Sequence, residues 1–408
     1  AEEEISWEAR GLEWCLGNEA LKFQILRFID VLPTLSTSRE VAKHLREYFP
    51  QSEQRLPLSL RVGVIFTRPA LLTSSLVASI TRMIVTRMAR KFIAGATIEE
   101  ALKAIRELKE GQMSYTLDIL GEAVTSEKEA GVYLERYIRL MEELASKEPA
   151  SQINISLKLS SLYSQFDPIA PDATTAVVKT RLREILQVAK RSNAFVNVDL
   201  EQYQYKDLML EIFKELMLEE EFREYTQVGT VIQAYLRDAE ETLRNLINWV
   251  RGRGHPIQIR LVKGAYWDYE IIMARQRGWP IPVFSRKWET DANFEKLVEL
   301  LLENSPYVHT AVASHNIRSI AHAIAMSRIL GVPEGQIEFQ MLYGMADGIK
   351  KALVKMGQGM RVYTPYGALI PGMAYLVRRI LENTSNESFL RHRIIKDVPL
   401  EGLIQNPE

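Results

Sequence analysis

The stretch Ile257-Gln-Ile-Arg-Leu-Val-Lys-Gly-Ala-Tyr-Trp267 contains the pattern that decides the fold. It starts as a short, largely apolar run and passes through the small residues Gly264 and Ala265 into two aromatic residues. The alternation of apolar and polar residues in the run at 257–262 breaks at its end, where Leu261 and Val262 are both apolar, and a largely apolar run of this kind is typical of a strand with both faces buried. Such strands belong to parallel sheets, so the rest of the chain should supply neighbours of the same texture.

Short β-prone runs alternate with helical patterns from residue 113 onward. The predicted strands span residues 113–117, 153–159, 195–200, 229–234, 257–262, 310–314, 338–342 and 361–363. The predicted helices span residues 126–148, 174–192, 206–220, 239–252, 290–304, 317–330 and 347–356. Eight strands alternating with helices predict an α/β protein whose parallel sheet closes into a (β/α)8 barrel.

The residues before this region have a helical texture. Helical patterns cover much of residues 1–60, and Ser38 is predicted to cap a helix that runs to Tyr48. Further patterns follow at 71–93 and 97–110. The expected organisation is a helical arm or linker over residues 1–110, a barrel over 111–390 and a tail over 391–408.

Composition excludes several classes of protein. Lys+Arg 51 against Asp+Glu 52 leaves almost no net charge, which argues against a nucleic-acid-binding protein. The single cysteine, Cys15, rules out a disulfide framework within one chain and fits a reducing compartment. The sequence contains no cluster with metal-ligand spacing, no Walker-type loop and no Gly-x-Gly-x-x-Gly motif. A dinucleotide cofactor would therefore not use a Rossmann fold.

Chemically active residues should collect at the carboxyl ends of the strands, where barrels of this kind have their active sites. Lys158 lies within an apolar run and needs an anionic partner or ligand, since burying a lone cation is costly. Asp199 follows Val-Asn-Val and is equally well explained as a site residue or as a cap for the next helix. Arg260 and Lys263 place cations beside small residues and aromatics, a combination suited to a flavin. His315 alone is explained as well by a structural hydrogen bond.

The segment Tyr375-Leu-Val-Arg-Arg-Ile-Leu-Glu-Asn383 combines two guanidiniums with a tyrosine and a glutamate. In a helix, Tyr375, Arg378, Arg379 and Glu382 share one side, because they are three or four residues apart. Two guanidiniums on one face suit a small carboxylate, although a solvated charged face explains the same pattern.

Taken together, these segments resemble the proline dehydrogenase family, most closely the proline dehydrogenase portion of the bifunctional proline utilization A (PutA) proteins. The resemblance covers roughly residues 113–390. The matching motifs are Leu-Gly-Glu-Ala (120–123), Ile-Ser-Leu-Lys-Leu-Ser (155–160), Val-Asn-Val-Asp (196–199), Val-Ile-Gln-Ala-Tyr (231–235), Arg-Leu-Val-Lys-Gly-Ala-Tyr-Trp (260–267), Ser-His-Asn (314–316), Glu-Phe-Gln-Met-Leu-Tyr-Gly-Met (338–345) and the 375–383 segment. The chain departs from the family pattern at Ser314 and Tyr343, where threonine and histidine are expected.

The resemblance implies a distorted TIM-like barrel with noncovalent FAD and with the last helix over the barrel mouth. It assigns Asp199 and Arg260 to catalysis, Arg260 lying near the flavin N5. The implied proline site consists of Lys158, Tyr266, Leu342, Tyr363, Tyr375, Arg378 and Arg379. The implied FAD site consists of Leu200, Gln233, Arg260, Val262, Lys263, Gly264, Ala265, Trp267, Arg286, Lys287, Ser314, His315, Asn316 and Glu382. A Glu122–Arg379 ion pair would close the site.

The resemblance further implies oxidation of L-proline to 1-pyrroline-5-carboxylate, the first step of proline catabolism to glutamate. The hydride passes from ring C5 to flavin N5, and the electrons pass to a membrane quinone. Such a protein is expected in the cytoplasm, with peripheral docking on the inner face of the cell membrane. The chain has no room for the aldehyde dehydrogenase domain of the bifunctional proteins, so it is either an excised portion or a monofunctional relative. Two alternatives stay open, a flavin-dependent barrel oxidoreductase acting on a related small acid such as hydroxyproline, and a non-catalytic helical scaffold.

Overall fold

The computed structural model describes residues 24, 27–28, 31–48, 74–121, 124–147, 153–368, 372 and 375. The chain divides into two compact units. The first takes the described residues up to Thr97, together with residues 120–121 and those from Gly367 onward. The second takes Ile98–Ile119 and the described residues from 124 to Tyr366. Within the described residues no helix is long and apolar enough to cross a lipid bilayer.

In the first unit a short 3₁₀ turn at Leu32–Thr34 precedes the helices α1 (Ser38–Tyr48) and α2 (Ser74–Ala89). The prediction that Ser38 caps α1 was wrong by one residue. Thr37 Oγ1 accepts a hydrogen bond from Glu40 N (3.2 Å), and Glu40 Oε2 accepts one from Thr37 N (2.9 Å). This is a capping box, in which the glutamate must lie three residues after the cap. The position of Glu40 therefore selects Thr37 over its neighbour.

The second unit is built on eight parallel strands that close into a barrel in chain order, as predicted. The strands are β1 (Ser114–Ile119), β2 (Asn154–Lys158), β3 (Phe195–Asp199), β4 (Val228–Gln233), β5 (Ile257–Val262), β6 (Val308–Ala313), β7 (Ile337–Leu342) and β8 (Met360–Tyr366). The ring closes because β1 pairs with β8 from Ser114 to Ile119.

Helices surround this barrel in the same unit. They are α3 (Ile98–Glu110), α4 (Glu127–Lys147), α5 (Pro171–Arg191), α6 (Tyr203–Met217), α7 (Ala239–Arg253), α8 (Trp267–Arg277), α9 (Lys287–Glu303), α10 (Ile317–Ile329) and α11 (Asp347–Lys355). The sequence pattern did not predict α8. Of its side chains only Glu270 and Ala274 are buried, so α8 has no apolar stripe that a periodicity search could find.

The first strands of the barrel follow a common rule along their length. Toward the carboxyl end of each strand, every second side chain is polar and buried or half-buried: Thr116 and Asp118 in β1, Ser156 and Lys158 in β2, and Asn197 and Asp199 in β3. The residues between them, such as Leu117, Leu157 and Val198, belong to the hydrophobic core. The polar set lies inside the barrel, where Thr116 Oγ1 meets Ser156 Oγ at 3.3 Å. This alternation is visible in the sequence, but it does not mark a solvent-exposed face here, because both faces of these strands are buried.

Gly229 in β4 is required by close packing of the barrel wall. A Cβ there would lie 2.8 Å from the backbone oxygen of Gln258 and 2.9 Å from Asn197 Oδ1. We expect Gly229→Ala to lower the free energy of unfolding by about 1–3 kcal/mol, because the backbone oxygen cannot move aside cheaply. Urea unfolding checks this, with Gly131→Ala in α4 as the matched control.

A Cβ at Gly131 meets no atom within 4 Å, so alanine should raise the free energy of unfolding by up to about 1 kcal/mol. Equal unfolding midpoints for the two variants would contradict the close approach at Gly229.

Candidate functional site

Polar and charged side chains converge at the carboxyl ends of the barrel strands. Lys158, Asp199, Gln233 and Leu342 are the last residues of β2, β3, β4 and β7. Parallel pairing places Lys158 beside Asp199 and Leu342 beside Tyr363. The strand register thus brings together side chains that are up to about two hundred residues apart in the sequence.

A buried ion pair between Arg260 and Asp199 lies at the centre of this group. Arg260 Nη1 donates to Asp199 Oδ1 at 2.6 Å, and Arg260 Nη2 donates to Ser156 Oγ at 3.0 Å. Asp199 also accepts from Asn197 Nδ2 (2.8 Å) and from the Tyr363 hydroxyl (3.0 Å). The Arg260 guanidinium lies 5.3 Å from the centre of the Tyr363 ring, within cation–π distance. Asp199 therefore joins the residues of this group, and the cap position of the following helix α6 is Gln202 instead.

A second ion pair joins Lys158 to Asp118 on the neighbouring strand. Lys158 Nζ donates to Asp118 Oδ1 at 2.5 Å. The Lys158 side chain is 25% exposed, whereas that of Asp118 is 3% exposed. Burial would lower the pKa of Lys158, but the attraction of Asp118, with smaller contributions from Tyr137 and Asp199, holds that pKa above its ordinary value. The ammonium group is therefore charged throughout the neutral range.

Glu201, just after β3, adds a third carboxyl group. It is 8% exposed, and it accepts a hydrogen bond from the Ser160 hydroxyl. Burial raises the pKa of Glu201, although Ser160 and Lys158 oppose the rise. The Glu201 backbone oxygen accepts from Gln233 Nε2 at 3.0 Å. The other Gln233 amide atom, Oε1, is buried without a hydrogen-bond partner among the described residues, as is Arg260 Nε.

The segment after β5 turns sharply at Gly264. Gly264 has a φ of 129°, and a Cβ there would overlap the ring of Tyr235. A glycine is thus required by packing within the chain, whether or not a ligand approaches. Trp267 begins α8, is 41% exposed and donates its indole hydrogen to the Phe284 backbone oxygen at 2.8 Å.

Two lysines share one carboxylate beside this segment. Lys263 Nζ donates to Asp291 Oδ1, and Lys287 Nζ donates to Asp291 Oδ2 at 2.7 Å. Arg286, which precedes α9, is exposed, and its backbone N–H donates to Glu289 at 2.8 Å. Lys263 and Lys287 are 24 positions apart in the sequence, but α9 brings them to one carboxylate.

The predicted residues after β6 are linked to one another and to β7. Ser314 Oγ accepts from Asn316 N (3.1 Å), and Asn316 Oδ1 accepts from Ser319 N at the start of α10 (3.2 Å). His315 Nε2 accepts from the backbone N–H of Leu342 at 3.1 Å, so in this assignment the ring proton is on Nδ1. These contacts explain all three side chains structurally and leave their contact with a ligand as a prediction.

The remaining predicted residues fall into two groups. Leu200 is buried, Val262 and Tyr266 are half-buried and Ala265 is exposed, all next to the residues above. Tyr375 is buried in the first unit. Four predicted residues lie outside the described part of the chain: Glu122, Arg378, Arg379 and Glu382.

Sequence reasoning did not assign roles to Asp118, Glu201 and Asp291. Asp118 was placed after the first strand, whereas β1 extends to Ile119 and Asp118 lies inside the barrel. The signal for Glu201 was its position two residues after Asp199, on the strand end that already carried a candidate. Asp291 had no local signal, because its lysine partners are identified only by the packing of α9.

Comparison with known proteins gives two family matches. The model of the proline dehydrogenase family matches residues 101–392, which is more than half of the chain. The model of the proline utilization A N-terminal domain matches residues 2–92.

Individual relatives agree with these matches. The chain is 31% identical over 331 residues to the bifunctional protein PutA of Klebsiella aerogenes, covering 78% of this chain and 25% of that protein. It is 36% identical over 308 residues to proline dehydrogenase 1 of Bacillus subtilis, covering 76% of this chain and 91% of that protein. The crystal structure of PutA from Bdellovibrio bacteriovorus inactivated by N-propargylglycine is similar with a TM-score of 0.88 and 42% identity, over 99% of this chain and 41% of that one. The chain therefore spans about a quarter to two-fifths of these PutA proteins.

We expect Asp199→Asn to lower the free energy of unfolding by about 3–5 kcal/mol, because it leaves the Arg260 cation buried without a counterion. The side chains are 4% and 12% exposed for Arg260 and Asp199, so water cannot replace the lost charge. Urea unfolding checks this. The double variant Asp199→Asn/Arg260→Met should recover most of the loss.

The control is Glu135→Gln on α4, which removes an exposed pair to Arg139 and should change the free energy of unfolding by about 0.5 kcal/mol or less. A double variant no more stable than Asp199→Asn would contradict the explanation by unpaired charge.

Proposed function

Since the chain belongs to the proline dehydrogenase family, we propose that its barrel oxidises L-proline to 1-pyrroline-5-carboxylate with FAD as the cofactor. One observation carries the proposal. A closed parallel barrel brings Lys158, Asp199, Arg260 and Tyr363 together at its carboxyl end, which is where barrel enzymes have their active sites.

The described residues fit a flavin by their unused hydrogen-bonding groups. Gln233 Oε1 and Arg260 Nε are buried without a described partner, and a flavin ring supplies both a donor and acceptors for such groups. Gly264, two residues after the end of β5, is exposed and has no side chain of its own. Val262, Ala265 and Leu200 would add contacts to the ring system.

The other end of FAD would be held by the cations after β5. Lys263 and Lys287 carry two positive charges against one from Asp291, so the group retains net positive charge for a pyrophosphate. Trp267 would lie toward the adenine, and its partly exposed ring suits stacking. Arg286, Ser314, His315, Asn316 and Glu382 complete the proposed site.

When bound, FAD supplies the acceptor for the hydride that leaves ring C5 of proline. The chain holds and orients the substrate. Lys158, Arg378 and Arg379 bind its carboxylate, each with a charge-assisted contact. Tyr266, Leu342, Tyr363 and Tyr375 form the wall around the pyrrolidine ring and exclude water. The Glu122–Arg379 pair closes the site.

The electrostatics of the mouth support this arrangement. The hydroxyl of Tyr363 is fixed by Asp199, so the ring that would face the substrate is held in one orientation. Arg260 is buried and held by two hydrogen bonds, and a fixed cation stabilises negative charge that develops beside it. The substrate amine must lose its proton before its lone pair can assist, and no described side chain is assigned that step.

We further propose that the electrons pass to a membrane quinone, with the protein in the cytoplasm and docking peripherally on the inner face of the membrane. Proximity of the reduced cofactor to the bilayer would shorten the path to such an acceptor. The relatives named bifunctional protein PutA are much longer than this chain. A fused aldehyde dehydrogenase domain that consumes the product is therefore part of the proposal for the whole protein.

The purified protein should be yellow, and anaerobic L-proline should bleach its flavin absorption. A visible spectrum before and after the addition measures this. 4-Hydroxyproline is the matched control, because the bulk of Tyr363 should disfavour a ring hydroxyl, and it should bleach the flavin more slowly. Equal bleaching by L-proline and 4-hydroxyproline would favour the alternative of a flavin-dependent oxidoreductase that acts on a related small acid. A protein that contains no flavin after gentle purification, and binds none when FAD is added, would contradict the proposal.

Arg379→Met should raise the proline KM by roughly 10- to 100-fold, because a charge-assisted contact to a carboxylate contributes about 1.5–3 kcal/mol. Bound flavin, measured by absorbance, should stay unchanged. Arg328→Met is the control, since Arg328 is exposed in the last turn of α10 and should leave the KM unaltered. An unaltered KM in Arg379→Met would remove this residue from the proposed carboxylate site.

A further inference from the structure

The Lys158–Asp118 pair is asymmetric in a way that a purely structural ion pair does not require. Asp118 is enclosed in β1, with its side chain 3% exposed, while the Lys158 side chain at the end of β2 remains 25% exposed. An ammonium group has three hydrogens to donate, and Asp118 takes one of them. Asp118 thus anchors the ammonium group, and the partly exposed Lys158 side chain at the carboxyl end of β2 retains donors for a further acceptor.

The groups that face Lys158 come from every element packed around it. Asp118 approaches from β1, the Tyr137 hydroxyl from α4, Asp199 from β3 and Glu201 from the turn after β3. Tyr137 accepts a hydrogen bond from the Lys158 backbone N–H at 3.4 Å. Within the described residues only Asp118 is hydrogen-bonded to the ammonium group itself.

Asp199 cannot replace Asp118 as the partner of this lysine. Its Oδ1 already accepts from Arg260 and Asn197, and its Oδ2 accepts from Tyr363. Turning it toward Lys158 would leave the Arg260 cation buried and unpaired, at a cost of several kcal/mol. The position of the lysine therefore depends on Asp118.

We propose that Asp118 is a positioning residue, which holds the Lys158 ammonium group at the carboxyl end of β2 to receive the carboxylate of the substrate. This inference rests on the proposed oxidation of proline and on the assignment of Lys158 to its carboxylate. Asp118 itself touches neither substrate nor cofactor in this proposal. It acts through the lysine.

Asp118 and burial shift the pKa of Lys158 in opposite directions, and a pH series shows what happens when Asp118 is removed. In the native protein Asp118, together with Tyr137 and Asp199, outweighs burial and holds the pKa of Lys158 above its ordinary value, so the lysine stays protonated through the alkaline range of an assay. Without Asp118, burial is opposed less and the pKa falls. The protonated form binds the carboxylate, so the KM must rise as pH increases through the lowered pKa.

The test is the proline KM of Asp118→Asn relative to the native protein as a function of pH. The ratio of the two KM values should increase severalfold as the assay pH is raised from about 7 into the alkaline range, because the lysine of the variant loses its charged form at a lower pH than the native lysine. The substrate amine and the flavin titrate alike in both proteins, so their effects cancel in the ratio. A ratio that stays constant with pH overturns the proposal.

Three further variants keep the test interpretable. Asp118→Glu restores the charge and should return the KM ratio toward a flat profile. Asp118→Asn/Lys158→Met removes both charges and leaves neither unpaired, so this variant should fold even if Asp118→Asn alone does not. The KM of this double variant should equal that of Lys158→Met, and the ratio of these two KM values should not depend on pH. A larger KM in the double variant means that Asp118 acts other than through Lys158, and this result overturns the proposal.

Glu338→Gln is the control for the loss of any buried ion pair. Glu338 pairs with Arg361 at 2.9 Å near the amino-terminal ends of β7 and β8. The cations that lower its pKa are Arg361 and Arg260, and Lys158 is not one of them. Glu338→Gln should lower stability without a pH-dependent change in KM, and a change like that of Asp118→Asn overturns the proposal. If the native protein does not oxidise proline, the proposed function fails; if it does and the Asp118→Asn ratio is flat, only the role of Asp118 fails.

Discussion

Four charged side chains have to be buried together in the barrel mouth, since none of them could be buried alone. Arg260 and Lys158 supply two cations, and Asp199 and Asp118 supply two carboxylates. Each isolated charge would carry a large desolvation penalty, which paired charges reduce only when their geometry is good. The closed barrel provides that geometry, because adjacent parallel strands fix the spacing of the side chains. The pairing of these buried charges therefore depends on the same strand spacing that closes the barrel.

Charge balance also limits what the described mouth can bind. Its two cations are matched by its two nearest carboxylates, and Glu201 adds a further acidic group whose pKa is raised by burial. Such a cluster has little net positive charge to offer a substrate carboxylate. Additional cations are needed, and Arg378 and Arg379 are the ones that the proposal supplies. This explains physically why a clamp for a small acid would combine a strand lysine with arginines from another part of the chain.

The barrel could be predicted from the sequence because the same pattern, an apolar run followed by a helical pattern, recurs along the chain. Eight apolar runs separated by helical patterns give the same answer even where a single boundary is off, as for β1, which continues past Asp118 to Ile119. Helix α8 escaped prediction because its residues form no apolar stripe. The capping residue of α1 was misplaced by one position because Thr37 and Ser38 are both good caps and only Glu40 distinguishes them. Local patterns are thus reliable when many elements repeat them and weak when one residue decides.

Candidate residues could be found in the sequence, but their partners could not. Lys158 was expected to need an anion, yet the identity of that anion depends on the register between β1 and β2. Gly264 was expected to contact the flavin, and the structure adds the ring of Tyr235 as an independent reason for a glycine at this position. Asp291 joins lysines from two elements and has no signature near either of them. Contacts of this kind depend on tertiary packing, which no spacing rule contains.

The two charged clusters of the barrel differ in a way that matters for ligands. In the mouth, carboxylates and cations cancel, whereas beside β5 two lysines face the single carboxylate of Asp291. Burial would raise the pKa of Asp291, but Lys263 and Lys287 outweigh it and hold that pKa below its ordinary value, so the carboxylate remains ionised. One positive charge is left over, and Lys263 is buried enough that burial lowers its own pKa. A bound phosphate would relieve this excess and favour the charged form of the lysine. Of these two clusters, the second therefore has the greater excess of positive charge for an anionic group, whereas the mouth is nearly balanced.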